Sequence, residues 1–216
     1  MQRFVGGNVI VSRQLIIYSP AGIVSAAAPV RRATKRLAAL GFDASVDASA
    51  LTKHQRFAGD DATRLDAIHR VADAAPAVAL ATRGGYGLSR LLDTLDWKRI
   101  SASVDKGTAW VGYSDVTALQ LAALAHKATG PAKPGEGVSA GFWAGPMACD
   151  DFGRDDSPEG GDDVTQDCFV EAMTGELEAV GFRTEVGFDG LDVVGRLWGG
   201  NLAVTQALLG TDPHPT

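Results

Sequence analysis

A serine at the end of an apolar segment has the surroundings of a catalytic nucleophile. Ser114 follows the apolar residues 109–111 and precedes a segment in which apolar residues recur at helical spacing. At a strand-to-helix turn, the serine hydroxyl projects above the end of the strand, where the first free N–H groups of the helix point. The N–H of Asp115 and the positive end of that helix can stabilise an oxyanion there. The pattern is typical of acyl transfer through a serine.

A simpler interpretation is that Ser114 caps the following helix. Serine is a preferred N-cap residue, and the sequence Gly112-Tyr113-Ser114 lacks the second glycine of the common hydrolase elbow. The pattern alone favours the cap.

A glycine-rich segment follows another apolar run. Residues 77–81 are all apolar, and the segment Arg83-Gly84-Gly85-Tyr86-Gly87 begins two residues later. Backbone N–H groups of glycine are not obstructed by side chains, so the segment can supply a second oxyanion donor or cradle an anion. Glycine clusters more often form tight turns with positive φ, and this one matches neither a P-loop nor a G-x-G-x-x-G motif.

The sequence offers no histidine in a setting that suits the base required by a serine nucleophile. The four histidines are His54, His69, His126 and His214. Surface roles explain the first three, and the last lies between two prolines without a predicted scaffold.

The acidic cluster between residues 150 and 163 is similar to a calcium loop in composition only, so we predict a solvated loop and no metal site.

The turns that carry these residues lie at the ends of predicted strands. Apolar runs predict strands at residues 15–18, 77–81 and 109–111, and helical spacing predicts helices at 29–40, 60–71 and 119–126. Strands that alternate with helices indicate an α/β fold with a doubly wound, mainly parallel sheet of the flavodoxin or Rossmann kind. Sites in such sheets lie at the carboxyl ends of the strands.

The predicted organisation has two domains. Residues 15–150 form an N-terminal α/β domain with the candidate nucleophile, 151–165 form a linker, and 166–216 begin a second domain. Residues 128–161 are predicted to be surface loops. In the second domain, helices are predicted at 168–173 and 202–209, and strands at 182–186 and 193–198.

The composition narrows the class of function. With 45% hydrophobic and 21% charged residues, the chain is expected to fold around a buried core. A net charge of −6 disfavours nucleic acid as a partner. In the N-terminal stretch, residues 1–14, the apolar run at 9–11 is too short for a membrane span or a signal peptide, and the two cysteines fit a reducing compartment. We therefore expect peptide or small-molecule chemistry in the cytoplasm.

Six motifs, in order along the chain, closely resemble the LD-carboxypeptidase family. They are Arg83-Gly84-Gly85-Tyr86-Gly87, Leu91-Leu92, Asp96-Trp97, Gly112-Tyr113-Ser114-Asp115-Val116-Thr117, Gly145-Pro146-Met147 and Gly195-Arg196-Leu197-Trp198-Gly199-Gly200-Asn201-Leu202. The segments Ser19-Pro20-Ala21-Gly22 and Arg56-Phe57-Ala58-Gly59 are also similar to that family. The resemblance extends from about residue 15 to residue 211.

The resemblance implies a metal-independent serine peptidase without a cofactor that removes the terminal D-alanine from murein tetrapeptides during cell-wall recycling. It implies Ser114 as nucleophile, the backbone N–H groups of Gly85 and Asp115 as oxyanion donors, and Arg83, Gly84 and Tyr86 at the substrate. Homodimers are usual in the family. The alternatives are the microcin-immunity branch, which acts on a peptidyl-nucleotide, and a binding remnant without catalysis.

In the family, a glutamate and a histidine from a smaller, β-rich C-terminal domain complete the triad. This sequence ends before the matching positions, so we expect a C-terminally truncated chain that is inactive alone. We also expect apolar surface to be exposed near Trp198 and residues 202–209.

Overall fold

The computed structural model describes residues 13–128, 140–155, 162–177, 194 and 198–215. Within these ranges, five strands form one sheet in which all neighbouring strands are parallel. The strands are β1 (Arg13–Tyr18), β2 (Phe42–Val46), β3 (Val78–Ala81), β4 (Ala109–Gly112) and β5 (Gly141–Ala144), in the spatial order β2-β1-β3-β4-β5. The helices are α1 (Ala27–Ala39), α2 (Asp61–Ala74), α3 (Trp97–Asp105), α4 (Thr117–Ala125), α5 (Asp163–Thr174) and α6 (Leu202–Leu208). This order is that of flavodoxin-like doubly wound sheets and confirms the predicted fold class.

The sheet is covered on both faces because its central strands have no polar side. All four residues of β3 are buried, and alternate residues belong to different core clusters. Ala79 and Ala81 pack with residues of α2, α3 and α4, while Val78 and Leu80 pack with residues of α1 and α5. A continuous apolar run is therefore the pattern of a strand that is covered twice.

The order of the strands decides which loops meet. β3 lies between β1 and β4, and all strands point the same way, so the segments that follow these three strands lie side by side at one edge. The glycine-rich segment after β3 is thereby placed between the segment after β1 and the Ser114 turn after β4.

Polar residues begin four of the helices. Asp60, Asp96, Asp162 and Asn201 accept backbone N–H groups in the first turns of α2, α3, α5 and α6. These caps satisfy donors that have no partner inside the helix. In the described ranges, no helix combines the length and apolar composition required to cross a membrane.

One strand lies where the sequence analysis predicted a surface loop. β5 occupies Gly141–Ala144 and pairs with β4, with Phe142 opposite Trp110. The two rings stack at 6.1 Å between centroids. The loop prediction for residues 128–161 is therefore wrong at β5, because a four-residue strand has too little pattern of its own and is defined by its partner. Residues 129–139 and 156–161 lie outside the described residues, as do the strand predicted at 182–186 and most of that at 193–198.

Helix α5 lies mostly within the predicted second domain, but its apolar face packs on the sheet of the first. Phe169 and Met173 are buried in the cluster that contains β1 and β3 residues. The Phe169 ring lies 5.5 Å from that of Phe42 and 5.1 Å from that of Phe152, measured between centroids. The domain boundary at residues 151–165 stays a prediction, and α5 shares a core with the segment before it.

Shortening Phe169 to alanine is expected to lower the free energy of unfolding by about 3 kcal/mol, because a buried ring is replaced by a cavity. The measurement is urea denaturation of the whole chain. Val164→Ala is the control, since Val164 lies in the same helix but is 69% exposed, and we expect a change within about 0.5 kcal/mol. Equal effects of the two substitutions would show that α5 is not part of this core.

Candidate active site

Ser114 occupies a strained turn between β4 and α4. Its backbone φ is 60°, a value uncommon outside glycine, and it begins a single 3₁₀ turn, Ser114–Val116. The cap positions of that turn and of α4 belong to Tyr113 and Val116, and neither makes a side-chain cap bond. The capping interpretation of Ser114 is therefore wrong. A strained serine at a strand-to-helix turn is the geometry of a nucleophile elbow.

The glycine loop, residues 83–88, follows β3 and lies against Ser114. A Cβ built on Gly84 would be 2.8 Å from the Ser114 Cβ and 2.9 Å from its Oγ. The Gly22 N–H donates to the Gly84 carbonyl at 3.1 Å. Gly85 has a φ of 130°, and a Cβ on it would be 2.8 Å from the Gly22 Cα. The loop is thus both a turn that requires glycine and a backbone surface packed on the candidate nucleophile.

Asp115 is buried beside Ser114, and its side chain holds the far end of the glycine loop. Its Oδ2 accepts the Leu88 N–H at 3.1 Å. Burial raises the pKa of this carboxyl, while the Leu88 hydrogen bond and the charge of Arg64 oppose that shift. The Asp115 N–H belongs to the first helical turn, where backbone donors have no intrahelical acceptor. This group and the N–H of Gly85 remain the predicted oxyanion donors.

A cavity of about 400 Å³ opens between the glycine loop and α6. It is lined by Gly85, Tyr86, Gly87, Ser89, Ser114, Asp115, Asn201, Ala203, Val204, Ala207 and Leu208. Four of the predicted site residues, Gly85, Tyr86, Ser114 and Asp115, therefore meet at one cavity. Tyr86 is 68% exposed there, which leaves its ring available to a ligand.

Arg83 is not among the residues that line this cavity. Its Nη1 donates to the Ile23 carbonyl at 3.3 Å, and its positive charge opposes the rise in the pKa values of Cys149 and Asp150 that their burial causes. Burial raises the pKa of the Cys149 thiol to about 12, so this cysteine is no thiolate nucleophile. The substrate contact of Arg83 stays a prediction.

Asn201 is a site residue to which the sequence assigns no role beyond its place in the last of the six motifs. Its Oδ1 accepts the Val204 N–H at 3.1 Å, and its backbone N–H donates to the Thr117 Oγ1 at 3.0 Å. Gly200 has a φ of 145°, and a Cβ on it would be 2.6 Å from the same Thr117 oxygen. The glycine-asparagine pair thus docks on the first turn of α4, which brings Asn201 to the cavity. Among the described residues, the Nδ2 group has no hydrogen-bond partner, so it can donate to a ligand.

None of the four histidines lines the cavity with Ser114. His54 borders a separate cavity, and the His69 Nε2 accepts a backbone N–H at the start of α3 at 3.0 Å. His126 stacks on an indole ring at 4.6 Å, and His214 meets another edge-on at 5.3 Å. The described parts of the chain also contain no cluster of three or more His, Cys, Asp or Glu that could hold a metal ion.

A doubly wound sheet that presents a strained serine beside a glycine loop defines a serine-hydrolase type of site. The sequence profile of the LD-carboxypeptidase N-terminal domain matches residues 15–130, more than half of the chain. The chain belongs to this family of serine peptidases, as its motifs predicted.

Two solved structures have a similar fold, and one further protein is similar in sequence. The muramoyltetrapeptide carboxypeptidase of Oxalobacter formigenes is 30% identical, with a TM-score of 0.73 over 94% of this chain and 62% of its own. The microcin C7 self-immunity protein MccF is 18% identical, with a TM-score of 0.73 over 95% of this chain and 65% of its own, which shows the fold alone. A Streptomyces coelicolor protein whose name places it among carboxypeptidases is 39% identical over 85 residues, 38% of this chain and 27% of its own. The chain thus spans less than two thirds of the length of each.

Proposed function

We propose that the protein is a serine carboxypeptidase that cleaves an L-to-D amide and releases the terminal D-alanine of murein tetrapeptides. The observation that carries the proposal is the strained Ser114 at a cavity of about 400 Å³, with the glycine loop packed on it. The 30% identity to a protein named for this activity supports the choice of substrate. A homodimer that acts in cytoplasmic cell-wall recycling belongs to the same proposal.

In the proposed reaction, the Ser114 Oγ attacks the carbonyl carbon of the scissile amide, and the hydroxyl proton passes to a general base. The carbonyl oxygen becomes an oxyanion that accepts the N–H groups of Gly85 and Asp115. When this intermediate collapses, the C–N bond breaks and D-alanine leaves with a proton from the base. Water then attacks the ester on Ser114, which releases the shortened peptide and restores the hydroxyl.

The polar groups around the cavity suit a peptide substrate. The Asn201 Nδ2 and the hydroxyl groups of Ser89 and Tyr86 are donors that can meet carbonyl or carboxylate oxygens. We assign substrate contacts to Tyr86 and Asn201. Arg83 acts indirectly, because its side chain donates a hydrogen bond to the segment that follows β1 rather than to the cavity.

A second candidate function is ligand binding without turnover. A serine hydroxyl requires a base, and none of the four histidines lines the cavity with Ser114. In that case the cavity binds the peptide through the same contacts, and Ser114 is not acylated.

The test is D-alanine release from a murein tetrapeptide, measured with a D-amino-acid oxidase assay. The protein is assayed as this chain and in a form extended through the downstream reading frame, because the Oxalobacter protein is longer. A tetrapeptide that ends in L-alanine and a peptidyl-nucleotide serve as comparison substrates. We expect release only from the D-alanine peptide. Turnover of the peptidyl-nucleotide alone would favour the microcin-immunity activity, and tetrapeptide binding without release by either form would favour the binding function.

A further inference from the structure

Arg64 is a fully buried cation that joins the segments around the candidate active site. It lies in α2 with none of its surface exposed. Its Nη1 donates to the Pro20 carbonyl at 3.1 Å and to the Gly87 carbonyl at 2.9 Å, and its Nη2 pairs with Asp61. The guanidinium also lies over the Phe57 ring at 4.8 Å. One side chain thus connects α2, the segment after β1 and the glycine loop.

Hydrogen bonds hold the glycine loop at both of its ends. At its beginning, the Gly84 carbonyl accepts the Gly22 N–H. At its end, the Gly87 carbonyl accepts from Arg64, and the Leu88 N–H donates to Asp115. The charge of Arg64 also favours the ionised form of Asp115, which is the form that accepts most strongly.

The position of this loop sets the distance between the oxyanion donors and the nucleophile. The site that a Cβ on Gly84 would occupy lies 2.8 Å from the Ser114 Cβ and 3.3 Å from the Asp115 nitrogen. Gly85, the other donor, is the next residue. A shift of the loop therefore changes the oxyanion site directly, and a misplacement of about 1 Å can cost roughly 10²-fold in rate.

We propose that Arg64 is a positioning residue for the reaction assigned to Ser114, and that it holds the glycine loop against the nucleophile through the Gly87 carbonyl and Asp115. This inference rests on the proposed function. Arginine suits the task because its planar fork reaches two carbonyl groups and a carboxylate at once, whereas lysine has a single charged point.

The first test compares Arg64→Lys with Arg90→Lys. Arg90 is the matched control, because it also pairs with Asp61 and lies over Phe57, but it is 60% exposed and its hydrogen bonds go to Asp61. Using the form that releases D-alanine, we expect Arg64→Lys to lower kcat per folded molecule by about 10²-fold with KM nearly unchanged, because only the transition state uses the oxyanion donors. The affinity for a peptide boronic acid, with boron at the scissile carbon, falls by a similar factor. Arg90→Lys leaves both quantities within about twofold.

Two further measurements separate this inference from folding and from the proposed function. If Arg64→Lys does not fold, Asp61→Asn removes one anchor of Arg64, and Arg90→Gln removes only the surface pair. We then expect a loss of about 3- to 10-fold in kcat from Asp61→Asn alone, and equal kcat values for the two variants would overturn the proposal.

The amide NMR shifts of Gly84 and Gly85, measured on this chain, are expected to change in Arg64→Lys or Asp61→Asn but not in the Arg90 variants. Unchanged shifts would overturn the inference even if the protein has no carboxypeptidase activity, whereas a failure of Ser114→Ala to affect release would overturn only the proposed function.

Discussion

In the form of the protein that releases D-alanine, replacing Ser114 by alanine is expected to lower this release by roughly 10⁶-fold, the loss typical of a serine peptidase without its nucleophile. The Oγ forms the covalent bond to the substrate, and among the described residues that line the cavity no other nucleophile lies at that turn. The fold should persist, since Ser114 caps neither the 3₁₀ turn nor α4. The measurement is kcat in the oxidase assay, together with a urea denaturation curve.

Ser89→Ala is the matched control for this substitution. Ser89 lines the same cavity but lies on the glycine-loop side rather than at the strand-to-helix turn. We expect a change in kcat below about tenfold, because a substrate contact contributes through a single hydrogen bond. Comparable losses from Ser89→Ala and Ser114→Ala, or persistent release by Ser114→Ala, would contradict the assignment of the nucleophile.

Gly84→Ala is expected to reduce kcat by about 10²-fold or more while the protein stays folded. The added Cβ would lie 2.8 Å from the Ser114 Cβ and 2.9 Å from its Oγ, closer than any ordinary contact. Gly84 is not in the left-handed region, so alanine brings no backbone strain of its own. The loop or the serine must therefore move, and a displacement of about 1 Å between nucleophile and oxyanion donors has an effect of this size.

The control for Gly84→Ala is Gly199→Ala. Gly199 also lies outside the left-handed region, and a Cβ on it meets nothing within 4 Å. Kinetics and urea denaturation are measured for both variants. Wild-type kcat in Gly84→Ala would mean that the glycine loop does not set the geometry at Ser114, whereas loss of kcat in Gly199→Ala would point to a general sensitivity of glycine positions.

Much of the central sheet was predictable from local pattern. The runs that became β1, β3 and β4 are continuous and apolar. Every residue of β3 and β4 is buried, because strands covered on both faces have no polar side, whereas β1 buries Leu15, Ile17 and Tyr18. The two edge strands have a weaker apolar pattern in the sequence. β2 buries only Phe42 among its five residues, and β5 contains four residues in a Gly- and Pro-rich context, so neither was predicted.

Part of the candidate site was also predictable from the apolar pattern of the strands. Ser114 and the glycine loop each follow a strong strand, and parallel strands bring their carboxyl ends to one edge. The pattern favoured a cap for Ser114, because the sequence does not show that its backbone adopts a φ of 60°. The substrate contact of Arg83 stays a prediction, and the sequence does not show that its side chain donates to the Ile23 carbonyl.

The sequence by itself determined the parallel α/β class, the positions of β1, β3 and β4 and of the helices other than α3, and the family to which the motifs belong. These properties depend on the periodicity of neighbouring residues and on short motifs. The tertiary structure decided that Gly84 packs on Ser114, that Asn201 reaches the cavity by docking on Thr117, and that Arg64 connects three segments. Those contacts join residues distant in the chain, and their distances follow from the strand order and the helix packing rather than from any local pattern.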